Sequence, residues 1–585
     1  MKKAWLLFLC KKGGFLMNGN SDNRTIAFLL ILGFIAFAAF AVWETCKNRK
    51  RVFGKIRKTY GQWPEREYSM EEFDAISHYY VHRKKEGLPV IDDITWNDLD
   101  MDRIFMLLNH TWSCIGESYL YCLLRMPAME KETLKERNRL IEYFRTHPEA
   151  REKMEYRFAR IGKTGSQSMF DYIYNLAELK PEAVWPEFVW IIAVVVSFGS
   201  IFINAAFGVL LFLAVMFGSW YYYYRKKKRI EPFLRSCSCL IQILKESESF
   251  GKIDAPELKN YQEKIVQAGK LLRKLKRSTH FVVGGNAGEN GELTKVFFDY
   301  INYTFHLDLI EFNTVIRELA AHMDDLEGLI DAVGALECAT ALASFRTLAE
   351  GSYCIPEFKK GGRASLSCEN VFHPLIPDPV KNSITAERGV LLTGSNASGK
   401  STFLKTVAVN AILAQTIDTC MADSWKGNFF RICTSMALRD DLAGKESYFI
   451  VEIKSLKRIL NAADGKIPIL CFVDEVLRGT NTVERIAASS EILESMERED
   501  ILCFAATHDI ELTHILEKGY DNYHFEEEVR DNDVLFNYRL FKGRAVSRNA
   551  IKLLGVMGYD PKLIEKAQNM ADHFLETGEW RQEEA

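Results

Sequence analysis

No surplus of charge marks this sequence: 75 Lys and Arg stand against 78 Asp and Glu over 585 residues. A global basic excess, the footprint of a general nucleic-acid binder, is therefore missing, and any such role must rest on local patches. The thirteen cysteines, spread from Cys10 to Cys503, lack the paired spacing of a disulfide or zinc framework. The closest pair, Cys237 and Cys239, has no His or Cys motif beside it and reads as packing thiols rather than metal ligands. Unpaired thiols throughout suit reducing, cytosolic surroundings for most of the mass. Two stretches lack charge of either sign. Residues 25–43, "TIAFLLILGFIAFAAFAVW", carry none over 19 positions, a length that crosses about 30 Å of hydrocarbon. Phe188 to Tyr224 carry none over 37 positions.

One straight helix over the second stretch would be about 55 Å long, well beyond bilayer thickness, so it must break. Ser200 to Asn204 is the only polar interruption, which points to two short spans in a tight hairpin, with a re-entrant loop as the rival. Trp185, Trp190, Trp220 and Tyr221 to Tyr224 stand at both ends, where rings favour the headgroup zone. Basic clusters, "KNRKRVFGKIRK" and "RKKKR", follow the two stretches and mark the cytoplasmic side. Three crossings then place the N-terminus outside, with the rest of the chain's mass in the cytoplasm. The first sixteen residues are too short in apolar run to span, and either Met1 or Met17 can be the natural start.

Away from these stretches the chain changes grammar twice. Residues 66–180 and 228–350 show helical apolar spacing, as in "LDMDRIFMLLNHTW" and "QEKIVQAGKLLRKLKRS". From about residue 351, short β-rich runs alternate with helical patterns ("GVLLTG", "PILCFVDE", "ILCFAATHD"), which predicts a parallel sheet with crossover helices. Between the first of these strands and a helix lies Gly394-Ser395-Asn396-Ala397-Ser398-Gly399-Lys400-Ser401, a full G-x-x-x-x-G-K-[ST] match followed by Thr402. Such a loop curls backbone N–H groups around phosphate oxygens at a helix N-terminus. Lys400 is then the cation for the β- and γ-phosphates of ATP, and Ser401 a Mg²⁺ ligand. The strand ending in Asp474 and Glu475 supplies a second Mg²⁺ ligand and a base for the attacking water, and His508 can sense the γ-phosphate.

The flanks of these motifs narrow the choice. "DEVLRGTNTVE", "DDLAGKESYFIVE", "FAATHDIELT" and "NYRLFKGRAVSRNAIKLLGV" resemble the successive ATPase signatures of the MutS family. "LLNHTWSCIGESYLYCLLRMP" resembles the T-x-x-x-x-G-x-x-x-L-x-x-x-L-x-x-P pattern of that family's core domain, and "GALECATALASFRTLAEGSYCIPEF" its approach to the ATPase. The resemblance covers about 95–180 and 300–570. It implies an ABC-type ATPase that works as a dimer, with His373 and Asn396 on the nucleotide and Ser447 reaching the partner's γ-phosphate. This chain departs from the pattern at Gly444 and Lys445 (Ser-Gly in the family), at Tyr448 (Thr) and at Asn549 (Gly).

The expected organisation is membrane-anchored α plus α/β: a helical lever and core body interrupted by a transmembrane hairpin, then a C-terminal P-loop ATPase domain. Its segments are an N-terminal extension (1–24), a transmembrane helix (25–44), a basic and polar linker (45–94) and the first part of the core helical domain (95–184). The transmembrane hairpin (185–224), further core and lever helices (225–355), the ATPase domain (356–570) and a polar tail (571–585) follow. A mismatch-reading domain has no room before residue 95, and the F-x-E matches at Phe525–Glu527 and Phe574–Glu576 fall beside or after the ATPase. Two ligands for the motor remain open. One is DNA, mismatched or branched by family resemblance, gripped through Lys270, Arg273, Lys274, Lys276 and Arg277. The other is a membrane protein partner, with no DNA involved. The basic helix that carries these cations reads first as the solvated face of a long lever, ahead of a phosphate-binding strip. A transporter is disfavoured because the short crossings offer no intramembrane charge.

Overall fold

The computed structural model describes residues 22–84, 88–178, 182–273, 292–395, 398–436, 448–477, 480–530, 533–545, 551, 554–555 and 557–580. They fall into two compact units.

The first unit comprises residues up to Lys58, Leu179–Gln242 and Lys274–Ala320. It includes most of a 38-residue helix, Asp22–Thr59, which holds the first apolar stretch. Helix Trp185–Ser200 and the start of helix Ala205–Phe250 are joined by a turn at 201–204, where the polar interruption predicted the break. The two arms run antiparallel: Phe198 meets Phe212 at a ring separation of 5.9 Å, Trp190 meets Tyr222 at 6.0 Å, and Glu187 pairs with Lys226 at 2.5 Å. Apolar side chains of the hairpin, including Ile192, Val196, Phe202, Leu210 and Phe217, lie exposed. Its base is polar and tied to the helices Glu292–Phe305 and Leu307–Ala321. Tyr223 donates to Asp308 at 2.6 Å, Ser219 meets His306 at 3.0 Å, and the Glu182 N–H donates to Asn313 at 2.9 Å.

Two described helices are long and apolar enough to cross a membrane, Ala205–Ile230 and Met323–Leu348. They differ in surroundings: 11% of the first apolar window is buried against 83% of the second, so Met323–Leu348 is the core helix of a folded body. Helix Trp185–Ser200 is apolar but shorter. Most side chains of the 25–43 stretch fall outside the description.

The second unit comprises Thr59–Glu178, Ile243–Arg273 and the chain from Ala321 onward. The segment 45–94 departs from the linker expected of it. Helix Met70–Arg83 opens on a capping box between Ser69 and Glu72 and buries Ala75, Ile76, Tyr79 and Tyr80. That narrow stripe at helical spacing is hidden in a charge-rich composition. Helices Cys114–Arg125, Lys131–Thr146 and Lys259–Leu271 surround the Met323–Leu348 helix.

Among the described residues the α/β part holds ten strands: β1 Glu357–Lys359, β2 Leu366–Val371, β3 Asn382–Ala386, β4 Gly389–Thr393, β5 Ser424–Asn428, β6 Arg431–Ser435, β7 Ile469–Asp474, β8 Ile501–Ala506, β9 Tyr520–Arg530 and β10 Asp533–Lys542. A four-stranded sheet has the order β1-β5-β2-β3, and a six-stranded sheet the order β10-β9-β4-β8-β7-β6. The larger sheet is parallel from β9 to β6, as the alternating runs predict, with β10 added antiparallel at the edge. Its inner strands are fully buried apolar runs, as strands covered on both faces must be. Body and sheet are bonded directly. Asp98 accepts from Thr434 Oγ1 at 2.6 Å and from the Met436 N–H at 2.9 Å, just beyond β6.

Candidate nucleotide site

Strand β8 lies between β4 and β7, so the carboxyl ends of these three strands meet at one edge of the sheet. The β4 end carries the glycine-rich loop, which leads into helix Lys400–Ile417. Gly394 and Gly399 have φ of +142° and +108°, values that L side chains rarely adopt, so the loop's turns need glycine. Lys400 Nζ donates to the carbonyls of Gly394 at 2.8 Å and Ser395 at 2.9 Å, and stands 3.4 Å from His508 Nε2. His508 Nε2 in turn lies 3.1 Å from Glu475 Oε1. The loop lysine, the β8-end histidine and the β7-end glutamate thus form one short chain of contacts. Asp474, the last residue of β7, is next to Glu475. Ser401 and Thr402 are exposed at the start of the helix, and Ser398 is buried beneath the loop.

Glu475 adopts φ +59° and Leu477 φ +56°, in the left-handed region. Such residues cost about 1–3 kcal/mol each and persist only where their surroundings hold them. Two bonds do so here. The Glu475 N–H donates to Ala506 O at 3.0 Å, fastening it to β8, and the Leu477 N–H donates to Glu452 Oε1 at 2.5 Å. Glu452 is buried on helix Tyr448–Asn461 and closes the "DDLAGKESYFIVE" motif. The β8 end is fastened likewise: the Thr507 N–H donates to Leu392 O at 2.9 Å, and Asp509 pairs with Arg485 at 2.6 Å.

His373 lies in the loop after β2, on the flank of helix Lys400–Ile417, where Asn410 of that helix donates to Phe372 O at 3.0 Å. Burial, with the charge of Lys405 beside it, pushes the His373 imidazole down to about 4, so it is neutral at physiological pH. Asn396, Ala397 and Ser447 lie outside the described residues.

The edge hairpin adds two residues that motif reading passed over. Glu527 of β9 accepts from Ser395 Oγ at 2.6 Å, which gives the Phe525–Glu527 match a place in the six-stranded sheet. Tyr538 of β10, 45% exposed, brings its ring to 3.2 Å from where a Cβ on Gly399 would stand. Both sit in segments whose approach to the loop depends on β9 pairing with β4, which local sequence does not reveal.

Residues 390–575 match the family described as MutS domain V. The chain is similar to "DNA mismatch repair protein MutS" of Natronomonas pharaonis, 30% identical over 274 residues, covering 45% of this chain and 31% of that protein. It is similar to the protein of the same description from Pseudothermotoga lettingae, 32% identical over 277 residues, covering 44% and 33%. It is also similar to human "MutS protein homolog 4", 30% identical over 287 residues, covering 46% and 30%. The chain thus spans about a third of the length of the curated relatives it matches.

Proposed function

Because the chain belongs to the MutS family, we propose that it is a membrane-anchored ATP hydrolase whose two copies close on bound nucleotide. One observation carries this: Lys400, His508 and Glu475 stand in contact at the shared end of β4, β8 and β7. With ATP in the loop, Lys400 and the N–H groups of residues 394–401 hold the β- and γ-phosphates. Glu475 orients a water and takes its proton as the oxygen attacks the γ-phosphorus. The bond to the β–γ bridging oxygen breaks, and ADP leaves with that oxygen. His508 lies between lysine and glutamate, placed to report the γ-phosphate. Ser401 and Asp474 are hard oxygen donors of the kind that hold Mg²⁺ together with substrate phosphates, and would do so here. The exposed Tyr538 ring gives a base a surface to stack on, with neutral His373 on the flank of the same helix.

Ser447 would complete the partner subunit's site. The exposed apolar hairpin supports a place in the bilayer, with three crossings and both parts of the body in the cytoplasm. Closure would act on DNA, as the names of the relatives suggest, through Lys270 and Arg273, both exposed, with Lys274, Lys276 and Arg277 beyond the described residues. The same exposed hairpin supports the second reading, in which closure acts on a membrane protein partner without DNA.

The test uses the full chain in micelles. Lys400→Ala should abolish ATP turnover and weaken nucleotide binding, and retained turnover would remove the site from the loop. Mixing inactive Lys400→Ala with inactive Ser447→Ala should restore part of the activity if Ser447 acts across a dimer. No recovery, with mixed dimers shown to form, argues against that. Duplex binding that falls steeply with salt favours the DNA reading, and salt-insensitive absence of binding favours the other. Single cysteines at 20, 60, 202 and 300 in a cysteine-depleted chain test the topology: an impermeant thiol reagent added outside should label 20 but not 60 or 300.

A further inference from the structure

A cavity of about 690 Å³ opens in the helical body, away from the phosphate loop. That is the size of cavities that take small organic ligands. Its walls come from four helices, Met70–Arg83, Cys114–Arg125, Lys259–Leu271 and Met323–Leu348, with the start of Lys131–Thr146 and the 126–130 turn. Most of the lining is apolar or aromatic, with the rings of Tyr79, Tyr119 and Tyr261 on different walls.

The charges around it do not balance. Arg83 is neutralised by Asp331 at 2.8 Å, and Tyr79 also donates to that carboxylate. Arg137 has no carboxylate partner among the described residues; its one protein hydrogen bond there is to Thr416 O at 2.7 Å. Burial lowers its pKa, a sign that its charge lacks compensation. Lys264, from the facing helix, has neither an ion pair nor a hydrogen bond among the described residues. Glu130, the remaining acid of the lining, is exposed at the rim. A guanidinium and an ammonium thus belong to the lining of a ring-walled space, and neither is paired with a carboxylate among the described residues. Arg–phosphate and Arg–carboxylate pairs are among the strong charge-assisted contacts, and tyrosine rings suit a flat apolar body.

The same wall touches the motor. Arg137 caps the C-terminal carbonyl of Thr416, and the Ala128 N–H donates to Gln415 O at 2.8 Å, both on the helix that begins at Lys400. An anion on Arg137 would compete with that cap, and the helix is a rigid link back to the loop.

We propose that this cavity is an effector site for a small organic anion with a flat body, best matched by a phosphate monoester on an aromatic ring. Its occupancy acts on the ATPase through the Lys400–Ile417 helix. The test titrates 1-naphthyl phosphate, with 1-naphthoate and neutral 1-naphthol beside it, into the full chain in micelles with saturating Mg-ADP in the loop. Calorimetry should give affinities in the order phosphate, carboxylate, naphthol. Lys264→Gln, an exposed change, should weaken the phosphate ester about tenfold, and Ala335→Phe, which fills the cavity, should abolish binding. Lys400→Ala should bind it as the wild type does, so this arm stands whether or not the chain hydrolyses ATP. Saturating 1-naphthyl phosphate should change ATP turnover at least twofold in the wild type and leave Ala335→Phe unmoved. No binding at millimolar concentration, equal binding of naphthol, or binding indifferent to both cavity variants overturns the site. Binding without any change in turnover overturns its regulatory role.

Discussion

Arg346 is a fully buried cation, and its replacement by alanine should be among the most destabilising single changes outside the sheet. Its guanidinium spans the joint between the helical body and the α/β part. Nη1 donates to Asn138 at 2.6 Å and to Glu142 at 2.8 Å; Nη2 donates to the carbonyls of Asp418 at 2.8 Å and Ile417 at 3.3 Å; Nε donates to Thr419 Oγ1 at 3.0 Å. Removing one partner of a buried ion pair costs about 3–5 kcal/mol. Glu142 is one-third exposed and also holds Arg145 at 2.9 Å, so it can recover some solvation. The orphaned carbonyls at the end of the phosphate-loop helix cannot do so as readily, each costing about 1–3 kcal/mol if left dry. The net expectation is a loss of about 3–4 kcal/mol, at the lower half of the range for a broken buried pair. Arg346→Lys should keep part of this, since an ammonium can reach one or two of the five acceptors. Urea unfolding of the full chain in micelles, followed by far-UV circular dichroism, measures both. A loss below about 1 kcal/mol for Arg346→Ala, the worth of an exposed pair, would refute the idea that this side chain fastens the helical body to the α/β part.

Glu337 is buried where it accepts from the N–H groups of Trp112 and Ser113, both at 2.7 Å, and burial outweighs these bonds to push its carboxyl up to about 7. Between the unfolded value near 4.3 and pH 7 the folded state holds the extra proton, so stability should fall with rising pH by up to about 3 kcal/mol. Glu337→Gln should flatten that slope in urea midpoints taken from pH 5 to 8, and an unchanged slope would assign the titration elsewhere. Glu452→Gln, which weakens the acceptor holding the Leu477 N–H, should lower kcat about tenfold with nucleotide affinity nearly unchanged, since Glu475 is displaced while the loop is intact. Tyr538→Ala should do the reverse, weakening nucleotide binding by about 1–3 kcal/mol, the worth of one stacked base, with kcat held. Equilibrium binding and steady-state turnover on the same preparations separate the two.

What could be read in advance followed local rules. The inner strands β4, β7 and β8 are continuous apolar runs that end at the loop, the acid pair and His508, so the strands were legible, and with them the placement of the residues proposed for the chemistry. The hairpin turn at 201–204 was legible because a charge-free run longer than a bilayer must break at its polar residues. Helix Met70–Arg83 was not, because its buried stripe is four residues wide in a charged segment. Glu452, Glu527 and Tyr538 lay inside quoted motifs, but their roles depend on which elements become neighbours. Glu452 acts through a backbone N–H beyond β7, and the other two arrive on strands that pair beside β4 only in the folded sheet. The glycine of the "HTWSCIG" pattern also needed the structure for its reason. A Cβ on Gly116 would stand 2.3 Å from the Glu337 carboxyl carbon, so that position admits no larger residue beside the buried acid.

The chain of contacts from Lys400 through His508 to Glu475 is proposed to hydrolyse ATP. The most direct measurement is single-turnover hydrolysis by Glu475→Gln alongside a direct count of bound nucleotide. Removal of the base should leave ATP bound at wild-type affinity while the hydrolytic step slows by about 10² or more. Hydrolysis at the wild-type rate by Glu475→Gln, with ATP bound normally, would contradict the account.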